Sequence, residues 1–166
     1  MTTLPLHRRG FLTLPLLAAT PLAHANLMDW FNGISLGQRI AIPELAYLDR
    51  RPRAGSALTM WYFWATWCEP CRETFPLLNE WRRSEPGLEI IAVTDEDAGK
   101  VSPFVAKVPV ELPIALDTRR QLFDPLRVRG VPYAMTLNRQ SVVTWRGQPK
   151  ELTTAQLKDL LSAAAG

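Results

Sequence analysis

Two cysteines stand in the 166-residue chain, spaced as Cys68-Glu69-Pro70-Cys71. Paired thiols at that spacing can ligate a metal, close a structural disulfide, or cycle between dithiol and disulfide. A structural zinc site takes four ligands, normally Cys and His. The two histidines, His7 and His24, both fall in an N-terminal leader described below, so the thiols have no partners to complete a zinc shell. A bridge closing so short a loop constrains little of the unfolded chain. Secreted domains that depend on disulfides usually carry several of them. A redox pair is the favoured reading.

The elements around the pair fit that chemistry. Ala57 to Ala65 is an almost unbroken apolar run, suited to a central strand buried on both faces. A helical stretch follows the cysteines to about Arg83, with Leu77, Leu78 and Trp81 at helical spacing. Pro76 lies inside it as an expected kink, and Pro86-Gly87 ends it. The first cysteine thus sits at a helix N-terminus, where backbone N–H groups and the helix dipole favour thiolate over thiol. Thiolate is the attacking species in disulfide exchange. Cys68 is the expected nucleophile and Cys71 the resolving thiol.

Further along, Leu88 to Thr94 reads as a second buried strand and Asp95 to Lys107 as a weaker helix interrupted by Pro103. Leu112 to Leu116 is a third strand, and Thr118 to Leu126 a short helix stopped near Pro125. Tyr133 to Leu137 and Ser141 to Arg146 are strands joined by a hairpin turn at Asn138 to Gln140. Thr153 to Ala165 closes the chain as a helix with a Thr153/Gln156 capping box. Upstream, Arg39 to Asp49 reads as an edge strand or hairpin, with Pro43 tolerated at an edge. Alternating strands and helices imply parallel crossovers, and the final hairpin adds antiparallel strands. The expected fold is a mixed α/β sheet with helices on both sides.

The first 25 residues read as a cleavable leader. Arg8 and Arg9 precede an apolar run from Phe11 to Leu22, and Ala23-His24-Ala25 is a small-x-small exit. The run is shorter than the roughly 20 residues a spanning helix needs, which argues against an uncleaved anchor. Arg8-Arg9-Gly10-Phe11-Leu12 partly matches a twin-arginine signal, with an ordinary Sec signal as the alternative. Residues 26–38 are an irregular lead-in and 39–166 a single domain. Without Arg8 and Arg9, the 19 basic residues fall to 17 against 16 acidic ones. That balance gives no basic stripe for nucleic acid. The absence of histidine after cleavage excludes Ser-His-Asp and Cys-His catalysis.

With these elements in place, the segment Phe63-Trp64-Ala65-Thr66-Trp67-Cys68-Glu69-Pro70-Cys71-Arg72 resembles the active-site segment of thioredoxin-fold proteins. It is most similar to the TlpA/ResA-like extracytoplasmic thiol–disulfide oxidoreductases, which share a W-C-x-P-C core. Gly130-Val131-Pro132-Tyr133 resembles their G-V-P loop. The resemblance spans roughly residues 39–165. It implies a thioredoxin fold with an extra strand and helix between the two motifs, drawn from residues 88–127. It further implies that Pro132 is cis and faces Cys68, that Val131 offers its backbone to an extended client peptide, and that Trp67 flanks the reactive sulfur. Core packing is the alternative for Trp67; Trp61 and Trp64 are expected in the core. Pro70 belongs to the redox motif itself. The implied partners are protein thiols and disulfides of exported clients, apocytochrome c among them, and a membrane electron donor of the DsbD or CcdA type. No metal, cofactor or nucleic acid is implied, and no membrane anchor after cleavage.

Two positions depart from the pattern. Tyr62 stands where thioredoxin keeps a buried Asp, six residues before the first cysteine. Thr74 stands where ResA-like proteins carry an acid, with Glu73 one place earlier. Glu69 is then the nearest carboxylate by sequence, with a solvated helix residue as its bland reading. A negative charge beside Cys68 disfavours its thiolate and favours the disulfide, which predicts a reductant; Arg72 acts in the opposite sense. A disulfide oxidase or isomerase, or a non-catalytic binding module, are the competing readings. A peroxidase fits less well, because Ala65 stands where peroxiredoxins place Thr. Arg119, Arg120, Arg127 and Arg129 form either a client patch or a solvated face.

Overall fold

The structure, a computed structural model, describes residues 33–166. The leader, its cleavage site and residues 26–32 of the lead-in lie outside the described residues. The elements in chain order are β1 (Ala46–Tyr47), β2 (Leu58–Phe63), α1 (Glu69–Ser84), β3 (Leu88–Thr94), α2 (Ala98–Val105) and β4 (Ile114–Leu116). They are followed by β5 (Tyr133–Asn138), β6 (Val143–Gly147), a 3-10 turn (Pro149–Glu151) and α3 (Thr154–Ala165).

One six-stranded sheet runs β1-β4-β3-β2-β5-β6. β2 lies parallel to β3 and antiparallel to β5, so it is flanked on both sides. The sheet has a core on each face, which explains the unbroken apolar runs. All seven residues of β3 are buried, as strands covered on both faces must be. Leu58, Met60, Tyr62 and Trp64 point to one core with Phe75, Leu78 and Trp81 of α1, Val101 of α2 and Leu157 of α3. Trp61 and Phe63 point to the other core, alternating along the strand as the pleat requires.

That second face is covered without an α-helix among the described residues. Its cover comes from Ile34, Ile40 and Leu45 on one side and from Leu122, Phe123, Leu126 and Val128 on the other. The helix expected over Thr118 to Leu126 is instead a run of turns. Asp117 is buried, and its carboxylate accepts the backbone N–H groups of Gln121, Leu122 and Phe123 at 2.6, 2.8 and 3.0 Å. Those donors are taken from a helical ladder. Arg120 and Arg127 also adopt φ of 54° and 52°, a left-handed conformation that single residues visit and helices do not sustain.

At the N-terminal side, the expected strand shrinks to Ala46–Tyr47, paired with β4, plus a single bridge from Arg39 to Val142. Pro43 interrupts the stretch between them, having no N–H to donate. Residues 34–40 run beside the outer strand, with Gly37 N–H to Val143 O at 2.9 Å and Ile40 N–H to Ser141 O at 2.8 Å. They cover part of an edge that would otherwise be open to pairing.

Glu89 is the one charged residue in the buried strand β3. Its carboxylate takes Arg53 Nε at 2.7 Å and Arg82 Nε at 2.8 Å. The triad ties the loop before β2 and the end of α1 to the sheet. α3 starts with the expected capping box, Thr153 and Gln156 bonding each other's backbone N–H. No helix among the described residues is long and apolar enough to cross a membrane.

Candidate active site

β2 ends at Phe63, and the next five residues deliver Cys68 to the start of α1. Trp64 N–H still pairs with Val93 O at 3.0 Å. Thr66 is then clamped: its N–H and its hydroxyl bond the Glu96 carboxylate at 2.6 and 2.9 Å. Glu96 follows β3, so the loop before the cysteines is anchored to the neighbouring strand. Within the sequence Glu96 is one acid in the run Asp95-Glu96-Asp97, and nothing local distinguishes it.

Cys68 is the N-cap of α1. Its backbone is extended (φ −87°, ψ 100°), and its sulfur accepts the Cys71 N–H at 3.2 Å. Pro70 fills an early helical position, where a missing N–H costs nothing. Cys68 and Cys71 are joined as a disulfide, their Cα atoms 5.2 Å apart. Once reduced, a Cys68 thiolate would sit at the positive end of α1, a sixteen-residue helix, with the Cys71 N–H as a donor to its sulfur. α1 continues through Pro76 to Ser84.

The pair is sheltered, Cys68 at 3% exposure and Cys71 at 0%, while Trp67 beside it is 74% exposed. That exposure removes the core-packing alternative for Trp67; Trp61 and Trp64 are in the core. The Val131–Pro132 peptide bond is cis. Val131 is half-buried and packs on both cores. Trp67 and Val131 together line a cavity of about 110 Å³ whose other walls include Ala65, Asp95, Arg120 and Arg129. The sheet therefore brings residues 67 and 131, more than sixty positions apart, to one concave surface that includes Trp67, the residue before Cys68.

The charged and polar neighbours sort differently from their sequence order. Glu69 is exposed and pairs with Arg72 at 3.1 Å, and Arg72 in turn lies over the Phe104 ring at 5.9 Å. The two charges whose opposing effects on Cys68 were expected thus largely offset one another. Glu73 bonds Lys150 at 2.9 Å, and that ammonium holds its carboxyl below the usual carboxylate range. Beneath the helix turn, the Tyr62 hydroxyl donates to Cys71 O at 3.1 Å and the Thr74 hydroxyl to Pro70 O at 2.8 Å. Burial pushes the Tyr62 phenol well up, with the Thr74 hydroxyl partly opposing it. Neutral hydroxyls hold the first turn of α1 from below.

A cysteine pair at a helix N-terminus, on a mixed sheet that ends in an antiparallel hairpin and a helix, defines a thioredoxin-fold protein with a redox-capable disulfide. The chain belongs to the AhpC/TSA family, whose model matches residues 53–148. It is 37% identical over 84 residues to the thiol-disulfide oxidoreductase ResA of Bacillus subtilis, covering 49% of this chain and 47% of that one. The chain spans about half the length of the ResA relatives it matches first. A structure described as the thiol:disulfide interchange protein DsbE of Chlorobium tepidum superposes with TM-score 0.58 at 30% identity, covering 68% of this chain and 82% of that one. StoA of Bacillus subtilis superposes at TM-score 0.54 and 22% identity, over 64% and 84% of the two chains, a likeness of fold.

Proposed function

We propose that the chain is an extracytoplasmic thiol–disulfide oxidoreductase that reduces disulfides in exported proteins. The observation that carries the reading is the Cys68–Cys71 disulfide capping α1 beside the exposed Trp67. The similarity to ResA and DsbE supports the same chemistry.

In the proposed cycle the Cys68 thiolate attacks one sulfur of a client disulfide. A Cys68–client bond forms, and the other client sulfur leaves as thiolate and takes a proton. Cys71 loses its proton and attacks the Cys68 sulfur, closing the Cys68–Cys71 bond and releasing the second client thiolate. Two electrons pass from the pair to the client, and each released client thiolate takes up a proton, one of them matching the proton lost by Cys71. A membrane dithiol donor of the DsbD or CcdA type restores the reduced pair. Cytochrome c maturation, with apocytochrome c as client, is the setting that the resemblance of the redox segment suggests. Val131, next to the cis bond, offers backbone for strand-like pairing with an extended client. Export would follow from cleavage of the leader after Ala25.

The reducing direction rests on Glu69, and its pairing with Arg72 leaves less net charge near Cys68 than a lone carboxylate would. That pairing favours a second reading, an oxidase, more than the sequence does. The test is the reduction potential in defined thiol buffers. A value near that of thioredoxin, about −270 mV, supports the reductase; one near about −120 mV makes the protein an oxidant. A Cys68 that reacts no faster than a model thiol would leave a binding module.

A further inference from the structure

Four arginines crowd residues 119–129, and the structure separates them. Arg120 pairs with Asp95 and with Asp124 at 2.8 Å, and lies over the Phe123 ring. The Arg127 side chain packs against Gly33. Arg119 is exposed and lines no part of the cavity formed by Trp67 and Val131. Arg129 is exposed, has no carboxylate partner among the described residues, and lines that cavity with Trp67 and Val131. Asp95 also reaches the cavity, but Arg120 holds its carboxylate.

The other side of Trp67 has the opposite character. Asp95, Glu96, Asp97 and Lys100 line a recess there of about 420 Å³. Glu96 is committed to Thr66 and Asp97 caps α2 on the Lys100 N–H. Those acids hold backbone in place and repel anions approaching on that side. Of the two cations beside Trp67 without an ion pair among the described residues, Lys100 shares its recess with those acids, whereas Arg129 faces a cavity whose one acid, Asp95, is already held by Arg120.

We infer that the cavity against Trp67, the residue before Cys68, is a subsite for a client residue next to the reacting cysteine, and that Arg129 makes it prefer an acidic one. Arg129 acts in recognition and takes no part in the exchange. The inference rests on the proposed exchange activity.

The experiment uses the reduced protein and three sets of peptide disulfides, with Asp, Asn or Lys flanking the cysteine on either side. Thiol exchange is followed by tryptophan fluorescence. At one flank, Asp peptides should react about twofold to fivefold faster than Asn peptides, the span an exposed charge pair gives, with Lys peptides slowest. In 1 M salt, where the Debye length is about 3 Å, the differences should collapse. Arg129→Gln should abolish the Asp preference and Arg129→Glu should invert it, each judged against that variant's own Asn peptide. Arg119→Glu makes the same change in net charge outside the cavity and should leave the order as it was.

Equal rates for Asp and Asn peptides at both flanks would overturn the inference while leaving the exchange activity intact. An inversion by Arg119→Glu equal to that by Arg129→Glu would reduce it to a net-charge effect and also overturn it. Failure of every peptide, Asn included, with Cys68 shown to be reduced, would instead refute the exchange activity, and the subsite with it.

Discussion

The phenol of Tyr62 donates to the backbone carbonyl of Cys71 across 3.1 Å, linking the central strand to the first turn of the helix that carries both cysteines. The bond is buried, and the Thr74 hydroxyl beside it bonds the carbonyl of Pro70. Two side chains without charge thereby fix the turn on which the disulfide is built. Tyr62→Phe keeps the ring, and with it the edge-to-face contact to Phe75 at 5.7 Å, but leaves the carbonyl one donor short. A loss of about 1 kcal/mol is expected, read from urea unfolding of the oxidised protein. A variant as stable as the parent would mean that the bond contributes nothing net.

Glu73 has its partner in Lys150, 77 positions away, and both side chains are exposed. It is therefore not expected to take the proton of Cys71. Glu73→Gln should leave the pH dependence of Cys71 alkylation in the reduced protein unchanged. A shifted midpoint in that variant would assign Glu73 a role in proton handling.

Trp67 is largely exposed, so its ring adds little to the fold. Trp67→Ala should move the unfolding midpoint by less than about 0.5 kcal/mol. It should nevertheless slow exchange with peptide disulfides roughly tenfold, as the loss of an aromatic contact at a binding surface does. Equal loss of stability and of rate would place Trp67 with the core residues.

Glu89 is buried between two arginines, at the end of the sheet remote from the disulfide: it pairs in register with Thr59, near the start of β2. Glu89→Gln leaves both guanidinium groups without a counter-charge in a half-buried site. The cost should be about 3 kcal/mol, measured by denaturant, with the reduction potential of the cysteine pair unchanged. A shifted potential would show that strain at that end reaches the site.

Tyr133, next to Pro132, has a buried hydroxyl with no partner among the described residues, and burial pushes its phenol up to about 12. An unfolded phenol ionises near its ordinary value of about 10. Burial favours the protonated form in the folded state. The associated stability is present below pH 10 and is lost as pH rises from about 10 through 12. Alkaline difference titration should show one phenol fewer ionising near pH 12 in Tyr133→Phe, and that variant should lose less stability over the same interval.

Much of the fold is legible in local residue patterns. Apolar runs mark β2 and β3, because a strand covered on both faces has no reason to alternate. Thr153 and Gln156 mark the start of α3, because a cap acts over three residues. The segment 118–126 departs from the expected helix for a physical reason. Its spacing suits one, but the Asp117 carboxylate, buried only by the folded sheet, captures the N–H groups a helix would need.

By itself the sequence determined the chemistry: two thiols, the helix N-terminus that receives them, and no imidazole among residues 26–166. Those properties depend on residue type and on neighbours within a turn or two. Tertiary structure alone decided which charges act near that chemistry. Glu96 clamps Thr66 from 30 positions away, Lys150 takes Glu73 from 77, and Asp95 takes Arg120, so that Arg129 is left facing the cavity beside Trp67. Electrostatic partners are chosen by distance in space, and sheet order sets that distance only after the chain has folded.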